Sequence, residues 1–183
     1  MRHSPPLFGT FGWTVAGALA LGLSFPPVGF YPLAWVALVP WIVRWRLATS
    51  RLDYAREIYA AVLVWSCCAG FWLLFHPDPS RALLGGLGLL VAPLPLAAAF
   101  VAALAVRHRF GLAAGLAALF TNVMAAEYVL LHVPGGVPWL LLGHTQATAT
   151  PFVQIADLGG VPLVSAWVLT LNVVASLAVA RAA

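Results

Sequence analysis

The sequence predicts an all-α integral membrane protein: a bundle of about six transmembrane helices, both termini cytoplasmic, with a long outer loop between spans five and six. Three observations lead there. Of 183 residues, 63% are hydrophobic and only 8% are charged, whereas soluble domains carry roughly 25% charged residues. The apolar residues fall into stretches near the ~20 residues a helix needs to cross hydrocarbon, or somewhat shorter. The nine basic residues are all arginine and gather between alternate stretches. Lipid offers backbone N–H and C=O groups no partner, so the spans must be helices.

Residues 1–183 read as a single transmembrane helical domain. Span one runs from about Thr10 to Phe25, and the Pro/Gly-rich turn Phe25-Pro26-Pro27-Val28-Gly29-Phe30-Tyr31-Pro32 closes it. The rival reading of this segment is a cleaved signal peptide, with Arg2 and His3 before it and Ala18-Leu19-Ala20 as the cleavage site. Span two, Pro32 to Trp45, is short enough to leave a full crossing in question. Span three covers Ile58 to Phe75, and its neighbours Cys67 and Cys68 read as small packing residues. Span four, Ala82 to Val106, carries Pro93 and Pro95, which should bend it by removing backbone donors. Span five, Gly111 to Leu131, opens on one GxxxG, a weak signal of close helix contact. Span six runs from Val161 to Ala180, and its Asn172 suits an interhelical hydrogen bond.

The arginines orient the bundle. Arg44, Arg46, Arg51 and Arg56 separate spans two and three, and Arg107 and Arg109 separate spans four and five. With Arg2 and Arg181 they share one side, and only Arg81 takes the other. Positive loops stay in the cytoplasm, which sets both termini there. The net charge of +4 is accounted for in this way, and nucleic acid is not expected as a partner.

Polar residues concentrate between Glu127 and Asp157, on the outer side. The connection mixes His132, His144, Thr145, Gln146 and Gln154 with apolar Trp139 to Leu142 and Pro151 to Val153. Such a segment can lie at the interface or dip into the outer leaflet under protein cover. Trp139 is either an aromatic-belt residue or part of a lipid-facing site. Glu127, near the outer end of span five, can reach the headgroups, and a charge in a span is by default a functional candidate. His76 and His144 lack metal-ligand spacing, so neither a metal nor another cofactor is expected. There is no G-x-S-x-G elbow, no cysteine outside span three and no lysine at all, so a self-contained hydrolase or transferase is not expected.

Three stretches carry a family resemblance. Phe25-Pro26-Pro27-Val28-Gly29-Phe30-Tyr31-Pro32-Leu33-Ala34-Trp35, running on to Pro40, resembles the N-terminal signature of the apolipoprotein N-acyltransferases. Gly136-Val137-Pro138-Trp139-Leu140-Leu141-Leu142-Gly143-His144-Thr145-Gln146 resembles their G-[FV]-P-W-x-x-x-G-[YH]-[ST]-Q loop. Pro151 to Gly160, continuing to Ser165 and Asn172, resembles the segment on the C-terminal side of that loop in the family. Glu127 stands at the family's distance before the Pro138-Trp139 pair. Two positions depart from the pattern: Val123 replaces a usual Trp, and Leu130 an arginine that would be a charge partner for Glu127.

The resemblance implies a bacterial inner-membrane location with the mixed loop in the periplasm. It also implies transfer of an acyl chain from a phospholipid to the lipidated N-terminal cysteine of an apolipoprotein. That chemistry runs on a Glu-Lys-Cys triad in a nitrilase-like domain beyond a seventh span, and without lysine these residues cannot supply it. The chain is therefore read as the membrane portion of such an enzyme, meeting phospholipid, a diacylglyceryl apolipoprotein and a catalytic domain in cis or in trans. No catalytic residue is assigned. The substrate-binding candidates are Glu127, Pro138, Trp139, Gly143, His144 and Gln146. The alternative is a stand-alone, non-catalytic membrane scaffold or partner subunit. A small transporter fits less well, because no span carries paired charges.

Overall fold

The computed structural model describes residues 11–132 and 138–182, with side chains as far as Val179. Arg2, His3, Thr10 and the Pro134-Gly135-Gly136-Val137 part of the outer loop lie outside the described residues, as does the side chain of Arg181. Among the described residues every regular element is helical: α1 (Phe11–Ser24), α2 (Val39–Leu47), α3 (Arg51–Gly70), α4 (Pro79–Val91), α5 (Pro93–His132), α6 (Thr150–Val153) and α7 (Ala156–Ala182). Short 3₁₀ turns at Tyr31–Trp35, Phe71–Phe75, Pro138–Leu140 and Leu142–Gln146 join them. Three continuous stretches are long and apolar enough to cross a membrane: Arg51–Phe75, Pro79–His132 and Ala156–Val179. With the composition, they make this a helical membrane protein.

The middle stretch is a hairpin. Its 54 residues would extend about 81 Å as one rod, against a hydrocarbon layer of about 30 Å. The chain reverses at Gly111, whose φ of 88° and ψ of −179° lie in a region essentially reserved for glycine. A Cβ on Gly115 would sit 2.5 Å from that of Arg107, and the Asn122 side-chain amide reaches the Ala99 carbonyl at 3.5 Å. Residues so far apart in sequence meet only if the two arms run antiparallel. The expected GxxxG therefore divides its roles, Gly111 making the turn and Gly115 the close contact. The expected bend in span four is a break at Ala92, where α4 ends and α5 begins on Pro93. Proline suits a first helical turn because its missing donor would be unpaired there anyway.

Several boundaries differ from the sequence reading. Span three begins at Arg51 rather than Ile58, since Ser50 caps the helix by accepting from the Asp53 N–H. Arg51, Asp53, Arg56 and Glu57 thus sit on α3 and not in a loop. The last helix begins at Ala156 and is interrupted at Gly159 and Gly160 before continuing. Span two is a 3₁₀ turn followed by α2. The gap between them is bridged from α7: the Asn172 amide oxygen accepts from Leu38 N–H at 2.8 Å, while its nitrogen donates to Ala34 C=O at 2.7 Å. That amide takes the place of the helical bond from residue 38 to residue 34. In an apolar setting an unpaired backbone pair would cost several kcal/mol, roughly 1–3 per group, so this insertion makes the irregular span tenable. The interhelical role expected of Asn172 is what the structure shows.

The core runs through the middle of the bundle on Trp41, Trp45, Tyr54, Trp65 and Phe100. Trp41 Nε1 donates to Thr14 C=O at 2.8 Å, tying α2 to α1, and Tyr54 Oη donates to Trp41 C=O at 3.1 Å. The arginines gather at one end. Arg44 pairs with Glu57 at 2.6 Å, Arg46 donates to Ser176 C=O at 3.0 Å, and Arg107 donates to the Arg46 and Ala48 carbonyls. Because α3 runs from that end to the other, Arg81 on α4 lies opposite. Cys67 and Cys68 are exposed on the outside of α3, and Cys68 Cβ lies 2.6 Å from where a Gly22 Cβ would be, so α1 rests directly on it.

Candidate functional site

The segment between α5 and α7 is anchored at the end away from the arginine cluster. It folds as two 3₁₀ turns and the one-turn α6, and it re-enters the bundle instead of lying over it. Leu140, Leu141 and Leu142 are buried among the helices. A buried non-helical strand of backbone needs partners for its donors, and two different helices supply them. Glu127 of α5 accepts from Leu142 N–H through Oε1 at 2.7 Å, and Ser165 of α7 accepts from Gly143 N–H at 2.8 Å. Successive backbone donors are thereby held from opposite sides. Gly143 is required by the fit: a Cβ there would meet Val161 O at 2.6 Å and Ser165 Oγ at 3.1 Å.

Gln146 closes the other half of the site. It is 0% exposed, and its amide oxygen accepts from Trp35 Nε1 at 3.1 Å. Its nitrogen donates to Thr145 Oγ1 at 2.9 Å and to Tyr31 C=O at 3.4 Å. An aromatic group surrounds this point. Trp35 meets Phe152 edge-on at 5.1 Å and Trp167 at 5.8 Å, while Phe152 stacks on Trp167 at 5.2 Å. Tyr31 completes it, 5.7 Å from Trp35. These half-buried rings contribute roughly 0.5–1.5 kcal/mol per pair beyond area, and they tie the loop to the first turn and to α7. Thr148 Oγ1 adds a bond to Gly29 C=O at 3.2 Å.

Two expectations change here. Glu127 does not reach toward headgroups: it is 3% exposed, and its second oxygen has no partner among the described residues. In place of the arginine that Leu130 replaces, the Leu142 N–H donates to the Glu127 carboxyl group. The leucines after Trp139 do not lie at the interface; they are buried in the bundle. Trp139 alone stays out, 37% exposed, packed on Trp72 with ring centres 5.6 Å apart. His144 is half-buried, and burial pushes its imidazole below the usual range, partly offset by the Trp139 main chain. Pro138 starts the 3₁₀ turn that presents Trp139.

An apolar crevice of ≈390 Å³ opens between the outer parts of α1 and α3, bounded by Leu19, Leu23, Phe25, Val28, Cys68 and Phe71, the last of which precedes Trp72 in the chain. Sequence reasoning missed Trp72, since nothing in an apolar run marks one tryptophan as the neighbour of a residue 67 positions later, and it had no means of placing the crevice. Ser165, Trp35 and Tyr31 were within the quoted motifs but carried no assigned role.

Residues 16–174 match the model of the apolipoprotein N-acyltransferase N-terminal domain. The chain belongs to that family. Among similar proteins named apolipoprotein N-acyltransferase, the one from Geobacter metallireducens is 32% identical over 173 residues, covering 87% of this chain and 32% of its own length. Those from Chlorobaculum tepidum and Rhodopirellula baltica are each 31% identical, over 85% and 86% of this chain and 29% of theirs. The chain spans about a third of the length of the relatives it matches. No solved structure matches it. In this chain the three motif stretches meet at a single place, around Gln146 and the Leu142-Gly143 backbone.

Proposed function

We propose that this chain is the membrane portion of a lipoprotein N-acyltransferase, crossing the inner membrane six times with the arginine end in the cytoplasm and the loop end in the periplasm. It receives a phospholipid acyl donor at the loop end and supports transfer of an acyl chain to the amino group of a diacylglyceryl apolipoprotein. The nucleophile belongs to a nitrilase-like catalytic domain acting in cis or in trans. The observation that carries this reading is Trp139. Leu140 to Gly143, Thr145 and Gln146 of its motif are buried, and this ring is left 37% exposed against Trp72, whose chain neighbour Phe71 borders an apolar crevice. The crevice volume falls within the roughly 300–1,000 Å³ of small-molecule sites.

The roles divide accordingly. Trp139, with Pro138 setting its position, touches the donor lipid. His144, half-buried, follows five residues later in the same loop. Glu127, Gly143 and Gln146 hold the loop so that Trp139 stays where it is. The two arms of α5, each about as long as hydrocarbon is thick, make two of the six crossings, and the Asn172-bridged segment from Tyr31 to Leu47 makes another.

The test is made in an intact relative, such as the Geobacter metallireducens enzyme, with alanine at the residue aligned to Trp139. Loss of phospholipid binding together with acyl transfer from phosphatidylethanolamine to a diacylglyceryl peptide is expected. Unchanged binding and transfer would reject the proposal. A stand-alone scaffold without acyltransferase activity is the second reading, favoured by the lack of any lysine in these residues. A reading frame continuing past Ala183 into another span and a Glu…Lys…Cys domain would discard it.

A further inference from the structure

We infer that the arginine end of the bundle holds the headgroup of an anionic phospholipid, at a site separate from the donor crevice and on the opposite membrane face. Two adjoining hollows open there, of ≈390 and ≈520 Å³, and they share Arg46, Leu47 and Arg107. The first is floored by Val43 and Leu112, and the second is edged by Thr49 and His108. The walls thus combine two guanidinium groups with apolar side chains at the mouth.

The charges there are unbalanced. The carboxylates of the region are already committed, Glu57 to Arg44 at 2.6 Å and Asp53 to Arg56 at 4.0 Å. Among the described residues, no carboxylate pairs with Arg46, Arg51, Arg107 or Arg109. Arg46 and Arg107 lie close enough to repel one another. Arg107 is held in place: it donates to the Arg46 and Ala48 carbonyls and lies over Trp45 with its charge 5.5 Å from the ring centre. Its Nε is buried without a partner among the described residues. A fixed pair of arginines beside a roomy hollow suits a phosphate, which guanidinium groups bind through paired donors.

The apolar floor decides between a free phosphate and a lipid. Leu47 and Leu112 stay half-exposed beside the arginines, where an acyl chain would cover them and a free ion would not. Basic hollows between transmembrane helices on the cytoplasmic side are where anionic headgroups bind. The bland account is that Arg107 only caps α2, since a cation at a helix C-terminus is favourable. A lipid-retention experiment separates that capping role from binding.

The full chain is reconstituted in lipid nanodiscs, and the lipids it keeps are read by native mass spectrometry. The probes are phosphatidylglycerol, phosphatidylcholine and inorganic phosphate. Two arginines near the surface favour the anionic lipid by roughly tenfold or more, so phosphatidylglycerol should be retained about tenfold over phosphatidylcholine. Leu47→Glu supplies an internal counter-ion from an exposed position and leaves the Arg107 bonds intact; it should abolish the preference while helicity is unchanged. Arg46→Gln, should Leu47→Glu fail to fold, should lower it about fivefold. Arg81→Gln, at the opposite end, should leave it unaltered. Equal retention of the two lipids, persistence of the preference in Leu47→Glu, an equal fall in Arg81→Gln, or displacement of the lipid by millimolar phosphate would each overturn the inference.

Discussion

Replacing Glu127 with alanine removes the acceptor that the Leu142 N–H has among the described residues, at a leucine buried in the bundle. An unsatisfied buried donor costs about 1–3 kcal/mol. Loss of the second oxygen, which has no partner among the described residues, offsets part of that cost. The cost falls on the loop and not on the bundle, since the helices keep their own backbone bonds. Local opening around Leu142 should therefore become roughly 5- to 150-fold more frequent, at a factor of ten per 1.4 kcal/mol. Amide hydrogen exchange in nanodiscs reads this directly, with the Leu140–Thr145 peptide exchanging faster and the α3 and α7 peptides unchanged. Glu127→Gln keeps an oxygen where Oε1 stands and should keep protection within a few-fold of wild type. If alanine left the loop as protected as before, or if glutamine and alanine lowered it alike, the carboxyl group would not be the anchor described here.

Gly111→Ala tests the hairpin alone, because no atom lies within 4 Å of an added Cβ. The backbone conformation by itself should cost about 1–3 kcal/mol, lowering the thermal midpoint in detergent, while Gly88→Ala, equally unobstructed but helical, should not lower it. At the N-terminus of α4, the Asp78 carboxylate accepts from the Ser80 hydroxyl and N–H, which hold it below its usual range. A depressed folded value means that its contribution is complete above the unfolded value of 3.8 and is lost as pH falls through the lower folded one. An acid melt of Asp78→Asn should accordingly converge with wild type at the low end and fall below it at neutral pH; divergence at the acid end would contradict the cap.

The helical class followed from composition because so apolar a chain has no other way to satisfy its backbone in lipid. Boundaries were less legible where polar residues extend a helix past its apolar part: Ser50 starts α3 seven residues before Ile58, and hydropathy cannot see a cap. The Gly111 turn was legible, since Arg107 and Arg109 immediately precede it. The break at Ala92 was nearly so, because two prolines mark it. The inward course of the loop was not. Leucines following a tryptophan look alike whether they face lipid or protein, and only the partners Glu127 and Ser165, distant in sequence, decide it. Asn172 was legible as a hydrogen-bonding residue, while its insertion into the ladder of span two depends on a register no periodicity reveals.

The most direct test of the central claim is photo-crosslinking with a phosphatidylethanolamine carrying a diazirine in its acyl chain, in vesicles containing this chain, followed by an acyl-transfer assay with a diacylglyceryl peptide. Labelling confined to Trp139, Phe71 and the α1–α3 crevice, with no acyl peptide formed by these 183 residues alone, is the predicted result. Labelling spread evenly over the apolar surface, or transfer without an added catalytic domain, would contradict the account.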